Sequence, residues 1–308
     1  MIVETNTRKK ILIAGGSGFI GSMLSEHFSS NGFDVAILSR QNRAEKNFFF
    51  WDPQKEEMDE NAFSNVSCII NLTGASIAGK RWTQKRKQEI TNSRMQSTDF
   101  LYEKLRTLKH EVDTFVSASA VGYYGNHGDE WVDESSPPSG DFLSTCCRYW
   151  EESASKVSSL GIRTVIFRIG VVLSSQGGAL PEFALPVKLF VASPLGSGKQ
   201  FISWIHHADL CLLFRKAAKD KNMNGIYNAV SPEPVTNNVF VKTLAQTLRR
   251  PMFLPPVPSF LLKLVLGEMA SAVTQGQRVF CKKIMDAGFS FRFPQLDAAL
   301  KDIYAQHS

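Results

Sequence analysis

Lys10-Ile11-Leu12-Ile13-Ala14-Gly15-Gly16-Ser17-Gly18-Phe19-Ile20-Gly21 is the stretch on which the fold of this 308-residue chain turns. An apolar, strand-like run meets glycines at 15, 18 and 21, and an amphipathic helical pattern follows from Ile20 to Asn31. Each glycine has a physical task. The first lets the chain reverse sharply, the second lets backbone approach a pyrophosphate, and the third lets helix and strand pack closely. The N-terminal end of the helix then turns free N–H groups and a positive dipole toward phosphate. Strand, turn and helix in this order predict a bound dinucleotide.

Outward from that loop, apolar runs alternate with helical patterns. The runs are Ile11 to Ala14, Asp34 to Leu38, Cys68 to Leu72, Thr114 to Ser117 and Thr164 to Arg168. Parallel strands need crossovers, and continuously apolar strands need cover on both faces, so the pattern predicts a Rossmann-type, doubly wound parallel α/β sheet. Helices are expected over Ile20 to Asn31, Gln84 to Leu108 and Phe142 to Leu160, with Gly32 and Gly161 ending two of them. Residues 1–175 read as the dinucleotide-binding domain and 176–308 as a smaller, mostly helical substrate lobe. The punctuation Gly177-Gly178, Pro181, Pro186, Pro194, Gly196 and Gly198 marks the change. A strand at Gly225 to Ala229 is expected to return to the sheet, Thr236 to cap a helix from Asn237 to Leu248, and the proline-broken tail 250–308 to be helical.

The composition is that of an ordinary globular protein, 43% apolar and 21% charged. The net charge of +6 (35 basic against 29 acidic residues) is spread out, apart from Lys80-Arg81 and Lys85-Arg86-Lys87. With no aromatics interleaved beyond Trp82, no nucleic-acid partner is expected. No stretch approaches the roughly 20 apolar residues of a membrane span. The longest candidate is the run Phe260 to Leu266, so no membrane partner is expected either. The polar segment Met1 to Lys10 resembles neither a signal nor a transit peptide, which predicts a cytoplasmic protein. Cys68, Cys146, Cys147, Cys211 and Cys281 form no CxxC pair, predicting reduced thiols and no metal.

The second strand-like run ends in Leu38-Ser39-Arg40, where an NAD enzyme usually carries an acid for the ribose 2′-hydroxyl. A serine hydroxyl and a guanidinium suit a 2′-phosphate instead, so NADP(H) is favoured over NAD.

The spacing G-x-x-G-x-x-G resembles that of the short-chain dehydrogenase/reductase superfamily. Its extended, epimerase-like branch is matched in order by Asn71-Leu72-Thr73-Gly74, by Ser117-Ala118-Ser119-Ala120-Val121-Gly122-Tyr123-Tyr124-Gly125, by Arg168, by Trp204-Ile205-His206-His207-Ala208-Asp209 and by Tyr227-Asn228-Ala229. More narrowly, Lys80-Arg81-Trp82, Trp150-Glu151, Pro194-Leu195-Gly196-Ser197-Gly198, Pro232 to Asn237 and Gly276-Gln277-Arg278-Val279 resemble the atypical group called epimerase family protein, which carries its own C-terminal domain of unknown function. The resemblance spans nearly the whole chain. It implies that Gly15, Ser17, Gly18, Phe19, Ile20 and Gly21 meet the pyrophosphate, and Ser39 and Arg40 the 2′-phosphate. Leu72, Thr73 and Gly74 would line the adenosine ribose, Ser117, Ala118, Gly170 and Val171 the nicotinamide, and Glu89 and Arg94 would pass nearby on a helix.

The working enzymes of that superfamily carry Tyr-x-x-x-Lys on one helix face, where lysine lowers the tyrosine pKa for proton exchange. Anchored on Glu151, this pair falls on Leu143 and Cys147, neither of which can take the role. Ser119 fits the superfamily's catalytic serine, and Tyr123 and Tyr124 are the replacement acids on offer, with His206 or His207 nearby. Sugar-nucleotide members commonly grip a diphosphate with an arginine where this chain has Ile202, leaving Lys199, Arg278 or Lys282-Lys283 as substitutes. Two readings stand side by side: an NADP-dependent oxidoreductase or epimerase acting on a small molecule, and a non-catalytic NADP(H)-binding sensor. By analogy alone, helices 84 to 108 and 142 to 160 offer a homodimer interface.

Overall fold

The computed structural model describes residues 9–41 and 43–305. Its main sheet contains β1 (Lys10–Ala14), β2 (Asp34–Ser39), β3 (Phe48–Asp52), β4 (Glu57–Met58), β5 (Val66–Asn71), β6 (Thr114–Ala120), β8 (Arg163–Ile169) and β12 (Gly225–Ala229). The short β7 (Trp131–Val132), β9 (Val171–Leu173), β10 (Phe201–Ile202) and β11 (Trp204–His206) lie outside it. Spatial order is β12-β8-β6-β5-β1-β2-β3-β4, parallel throughout except for the antiparallel β3–β4 pair. The chain therefore winds outward from β1 to β4, then crosses back to β5 and continues the opposite way. The order reverses between β1 and β5, so the crevice beyond their carboxyl ends is the ligand position of such a sheet.

Both faces are covered, as continuously apolar parallel strands require. On one face α1 (Phe19–Ser30) and α5 (His207–Lys219) bury Leu24, Phe28, Leu213 and Phe214 against Ile11, Ile13, Val116 and Phe167. On the other, α2 (Gln84–Thr107) and α3 (Phe142–Ser155) bury Leu101, Leu105 and Ala154 against Leu12, Ile69 and Phe115. Side chains of this size contribute about 1.5–3 kcal/mol each when fully buried. A third core unites α4 (Leu180–Lys188), α6 (Asn237–Thr247) and α10 (Leu296–Ala305) around Trp204, Phe240 and Leu300.

Local chemistry sets the ends of these elements. Thr83, Asp141 and Thr236 accept the backbone N–H groups of Arg86, Ser144 and Val239 at the starts of α2, α3 and α6. Gly32 and Gly161 take left-handed φ values of 82° and 75° past α1 and the turn Lys156–Leu160. That turn is a tighter 3₁₀ stretch, so the helix expected to run to Leu160 is α-helical only to Ser155. Strands β3 and β4 extend the sheet beyond the six strands expected. Phe48-Phe49-Phe50 lacks the polar alternation of a half-covered strand, and only Trp51 of the run is buried. All five cysteines are free and buried, and no helix among the described residues is long and apolar enough to cross a membrane.

Candidate cofactor crevice and reaction pocket

The turn after β1 sits at the sheet's reversal point. Gly15 takes φ 82°, and a Cβ there would lie 3.0 Å from the Leu72 carbonyl oxygen at the end of β5. Leu72 N–H donates to Ala14 O at 2.9 Å, so the loops after the two strands are tied together. A Cβ on Gly21 would lie 2.2 Å from Gly15 O, and backbone cannot yield that space cheaply. Helix α1 starts at Gly18 with no side chain capping it, so its first N–H groups are left for an external acceptor. Ser17 and Gly18 are exposed at this end, with Phe19 and Ile20 half-buried. The Phe19 ring packs against Gly177 and Gly178, where added Cβ atoms would come within 2.7 and 2.8 Å of it. A loop from beyond residue 175 thus meets the start of α1, a contact with no local sequence signal.

Beyond β2, Ser39 is buried and its hydroxyl accepts the Gln41 N–H at 3.1 Å, while Arg40 is exposed. Beyond β5, Asn71 organises the loop: its amide donates to Thr98 at 2.9 Å and to Ser117 at 3.3 Å, and its oxygen accepts the Thr73 hydroxyl at 2.7 Å. Arg94 lies against Gly74, where a Cβ would be 2.8 Å from the guanidinium carbon, and donates to Ala75 O at 3.1 Å. Glu89, five residues before Arg94 on α2, is exposed and paired with Arg86 at 2.7 Å.

At the end of β6, Ser117, Ala118 and Ser119 are buried. The Ser119 hydroxyl donates to Glu151 Oε1 at 2.6 Å. Both oxygens of Glu151 accept from Arg168, at 2.9 and 2.8 Å, in a bidentate pair with both side chains buried. Arg168 also donates to the Tyr124 hydroxyl at 3.0 Å, which donates in turn to Asn228 Oδ1 at 2.6 Å. Tyr124 is fully buried, and burial pushes its phenol up to about 12 despite the arginine. Tyr123 differs. Its ring stacks 3.4 Å below the Arg168 guanidinium, the residue is half-buried, and its hydroxyl has no hydrogen-bond partner among the described residues.

Leu143 and Cys147, four residues apart on one face of α3, both reach the same loop: a Cβ on Gly122 would lie 3.4 Å from Leu143 and 4.0 Å from Cys147 Sγ. Burial raises the Cys147 thiol to about 12, so at neutral pH it is an uncharged thiol and no base. Gly170 and Val171 spend their backbone N–H groups on Ala229 O at 3.2 Å and Ser203 O at 2.8 Å.

Residues 11–229 match the model of the NAD-dependent epimerase/dehydratase family. The chain belongs to that family. Residues 257–303 match a second family, a domain of unknown function (DUF1731). Epimerase family protein YfhF of Bacillus subtilis is 38% identical over 299 residues, covering 96% of this chain and 98% of its own. Mouse epimerase family protein SDR39U1 is 33% identical over 300 residues, covering 96% and 100%. The crystal structure of human epimerase family protein SDR39U1 (isoform 2) with NADPH superposes with a TM-score of 0.87 at 31% identity, covering 96% of this chain and 99% of that one.

His206 closes β11 (Trp204–His206) and His207 opens α5. His206 Nδ1 accepts the Ala208 N–H at 3.2 Å and caps α5. The neutral ring therefore carries its proton on Nε2, 3.4 Å from Asp302 Oδ2 though not aligned as a hydrogen bond. His206, His207 and Asp302 place ligand atoms within 4.8 Å of one another, but a protonated Nε2 is no metal ligand. Among the cations that could replace the missing diphosphate arginine, Lys282 pairs with Asp286 and Lys283 donates to Ile226 O. Arg278 lies against Trp131 and Phe201, 4.1 and 4.9 Å from the ring centres, with a buried Nε lacking an acceptor among the described residues. The Glu151–Arg168 pair and the Asn71 hub have no local sequence signal as a network, because Arg168 lies 17 residues from Glu151 and Ser117 lies 46 from Asn71.

Proposed function

We propose that the protein is an NADP(H)-dependent, epimerase-like oxidoreductase acting on a small molecule. The observation that carries the cofactor assignment is the uncapped start of α1 at the sheet's reversal point, with Gly21 leaving no room for a Cβ beside Gly15. Gly15, Ser17, Gly18, Phe19, Ile20 and Gly21 would hold the pyrophosphate by backbone N–H groups and the helix dipole. Ser39 and Arg40 would hold a 2′-phosphate, with Arg40 supplying the two-pronged, charge-assisted contact. Leu72, Thr73, Gly74 and Arg94 would line the ribose side, and Ser117, Ala118, Gly170 and Val171 the nicotinamide side. The cofactor supplies or accepts hydride.

The proton is assigned to Tyr123. Ser119 and Tyr124, which the sequence offered equally, have hydroxyls committed to Glu151, Arg168 and Asn228, whereas the Tyr123 hydroxyl is uncommitted among the described residues and a guanidinium lies on its ring. Arg278, whose buried Nε–H has no acceptor among the described residues, is the cation for an anionic group on the substrate.

One observation favours the non-catalytic sensor: Leu143 and Cys147 face the loop that a Tyr/Lys pair would serve. Substrate-dependent loss of NADPH absorbance across a panel of small carbonyl compounds separates the two. Turnover that falls about 10²–10⁴-fold in Tyr123→Phe supports the enzyme. Unchanged turnover in that variant removes Tyr123 from the chemistry, and tight NADPH binding without any turnover supports the sensor.

A further inference from the structure

Helix α7 (Ser259–Leu266) has no buried residue. Phe260 and Leu264, and Leu261 and Val265, are spaced four apart, so these side chains share one flank of the helix. Their exposures are 68%, 72%, 41% and 67%. Arg81 holds the end of the helix, donating to Leu264 O at 2.8 Å and Val265 O at 3.1 Å. The segment leading into α7 is bonded to the segment that follows α4: Val257 N–H donates to Pro194 O at 2.8 Å, and Gly196 N–H to Val257 O at 2.9 Å. On the far side of that junction Leu189, Phe190 and Val191 are again about half or more exposed. Soluble surfaces rarely gather so many large apolar side chains without a partner for them.

Residues 188–196 and 249–266, the segments that carry these side chains, contain no acid, and their charges are all basic. Lys188, Arg249, Arg250 and Lys263 are exposed, and none makes an ion pair among the described residues. The Arg250 guanidinium sits 4.6 Å from the Phe190 ring. Glu268, the acid next to α7, is taken by Lys87. Two copies meeting through this face would bring basic rims together, while an anionic surface complements them. We infer that α7 and its basic rim dock the protein on an anionic lipid surface, apolar residues entering the acyl boundary and cations meeting headgroups, as a helix lying in the interface does. Such contact needs no spanning helix, and it is independent of the cofactor assignment.

The test floats the full-length protein with vesicles of phosphatidylcholine alone and with added phosphatidylglycerol, at low and high salt. Wild type is expected to float with the anionic vesicles and to lose binding as salt rises. Phe260→Glu with Leu264→Glu should reduce the bound fraction at least tenfold. Arg249→Glu with Arg250→Glu should weaken binding and flatten its salt dependence. Both variants should keep the wild-type thermal midpoint, because all four side chains are exposed. Absence of flotation with anionic vesicles at low salt would overturn the inference, as would equal flotation of the apolar variant. So would a wild-type dimer by light scattering that the apolar variant converts to monomer, which assigns the face to a second copy.

Discussion

Gly21 and Arg40 carry opposite kinds of information. A Cβ at Gly21 would strike backbone, so Gly21→Ala must open the strand–helix junction. It is expected to cost about 1–3 kcal/mol by chemical denaturation and to weaken NADPH binding with it; unchanged stability would show that the junction yields. Arg40 is exposed and its removal should leave the fold intact. In Arg40→Ala, isothermal titration should show most of the NADPH-over-NADH preference gone, a change of about 1.4 kcal/mol or more. The glycine could be read from the sequence because a tight turn admits few residue types. Which of Ser119, Tyr123 and Tyr124 has a hydroxyl to spare could not, since Glu151, Arg168 and Asn228 arrive from distant elements.

Among the elements, α3 and β8 are joined by the Glu151–Arg168 pair, whose side chains are 7% and 2% exposed. Removing one partner of a buried pair strands the other charge, so Arg168→Met is expected to cost about 3–5 kcal/mol, read as a shift in the urea midpoint. A loss under 1 kcal/mol would mean that Glu151 finds water. The central strands and α1 to α3 were legible because apolar runs and helical periods are local signals. Strand β3 was not, because only residues 40–47 separate it from the parallel β2, too few for the helical crossover of about a dozen residues that the alternation of strand and helix leads one to expect, and α7 was visible only as an apolar run too short to span a membrane.

Across the whole molecule, His206 ties α5 to the neighbourhood of α10, with the Phe293 ring centre 4.0 Å from its own at a tilt of 36°. Burial, aided by the neighbouring His207, lowers His206 from 6.5 to about 3. The unfolded chain therefore takes up a proton near pH 6.5 that the folded protein refuses. Stability from this site is full above that pH and falls as pH drops toward 3, by up to about 1.4 kcal/mol per unit. Urea midpoints at pH 7 and pH 5 should differ accordingly in wild type and differ less in His206→Gln; an equal acid loss in both would place the sensitivity elsewhere. The reversal of strand order that creates the crevice was implicit in the glycine loop, whereas the loop at Gly177 and Gly178 closing on Phe19 needed the folded chain. The most direct test is to titrate the purified protein with NADPH and with NADH. Saturable binding at one site, at least tenfold tighter for NADPH, is expected, with a thermal midpoint that rises with NADPH concentration. Absence of binding to either nucleotide, or equal affinity for both, would contradict it.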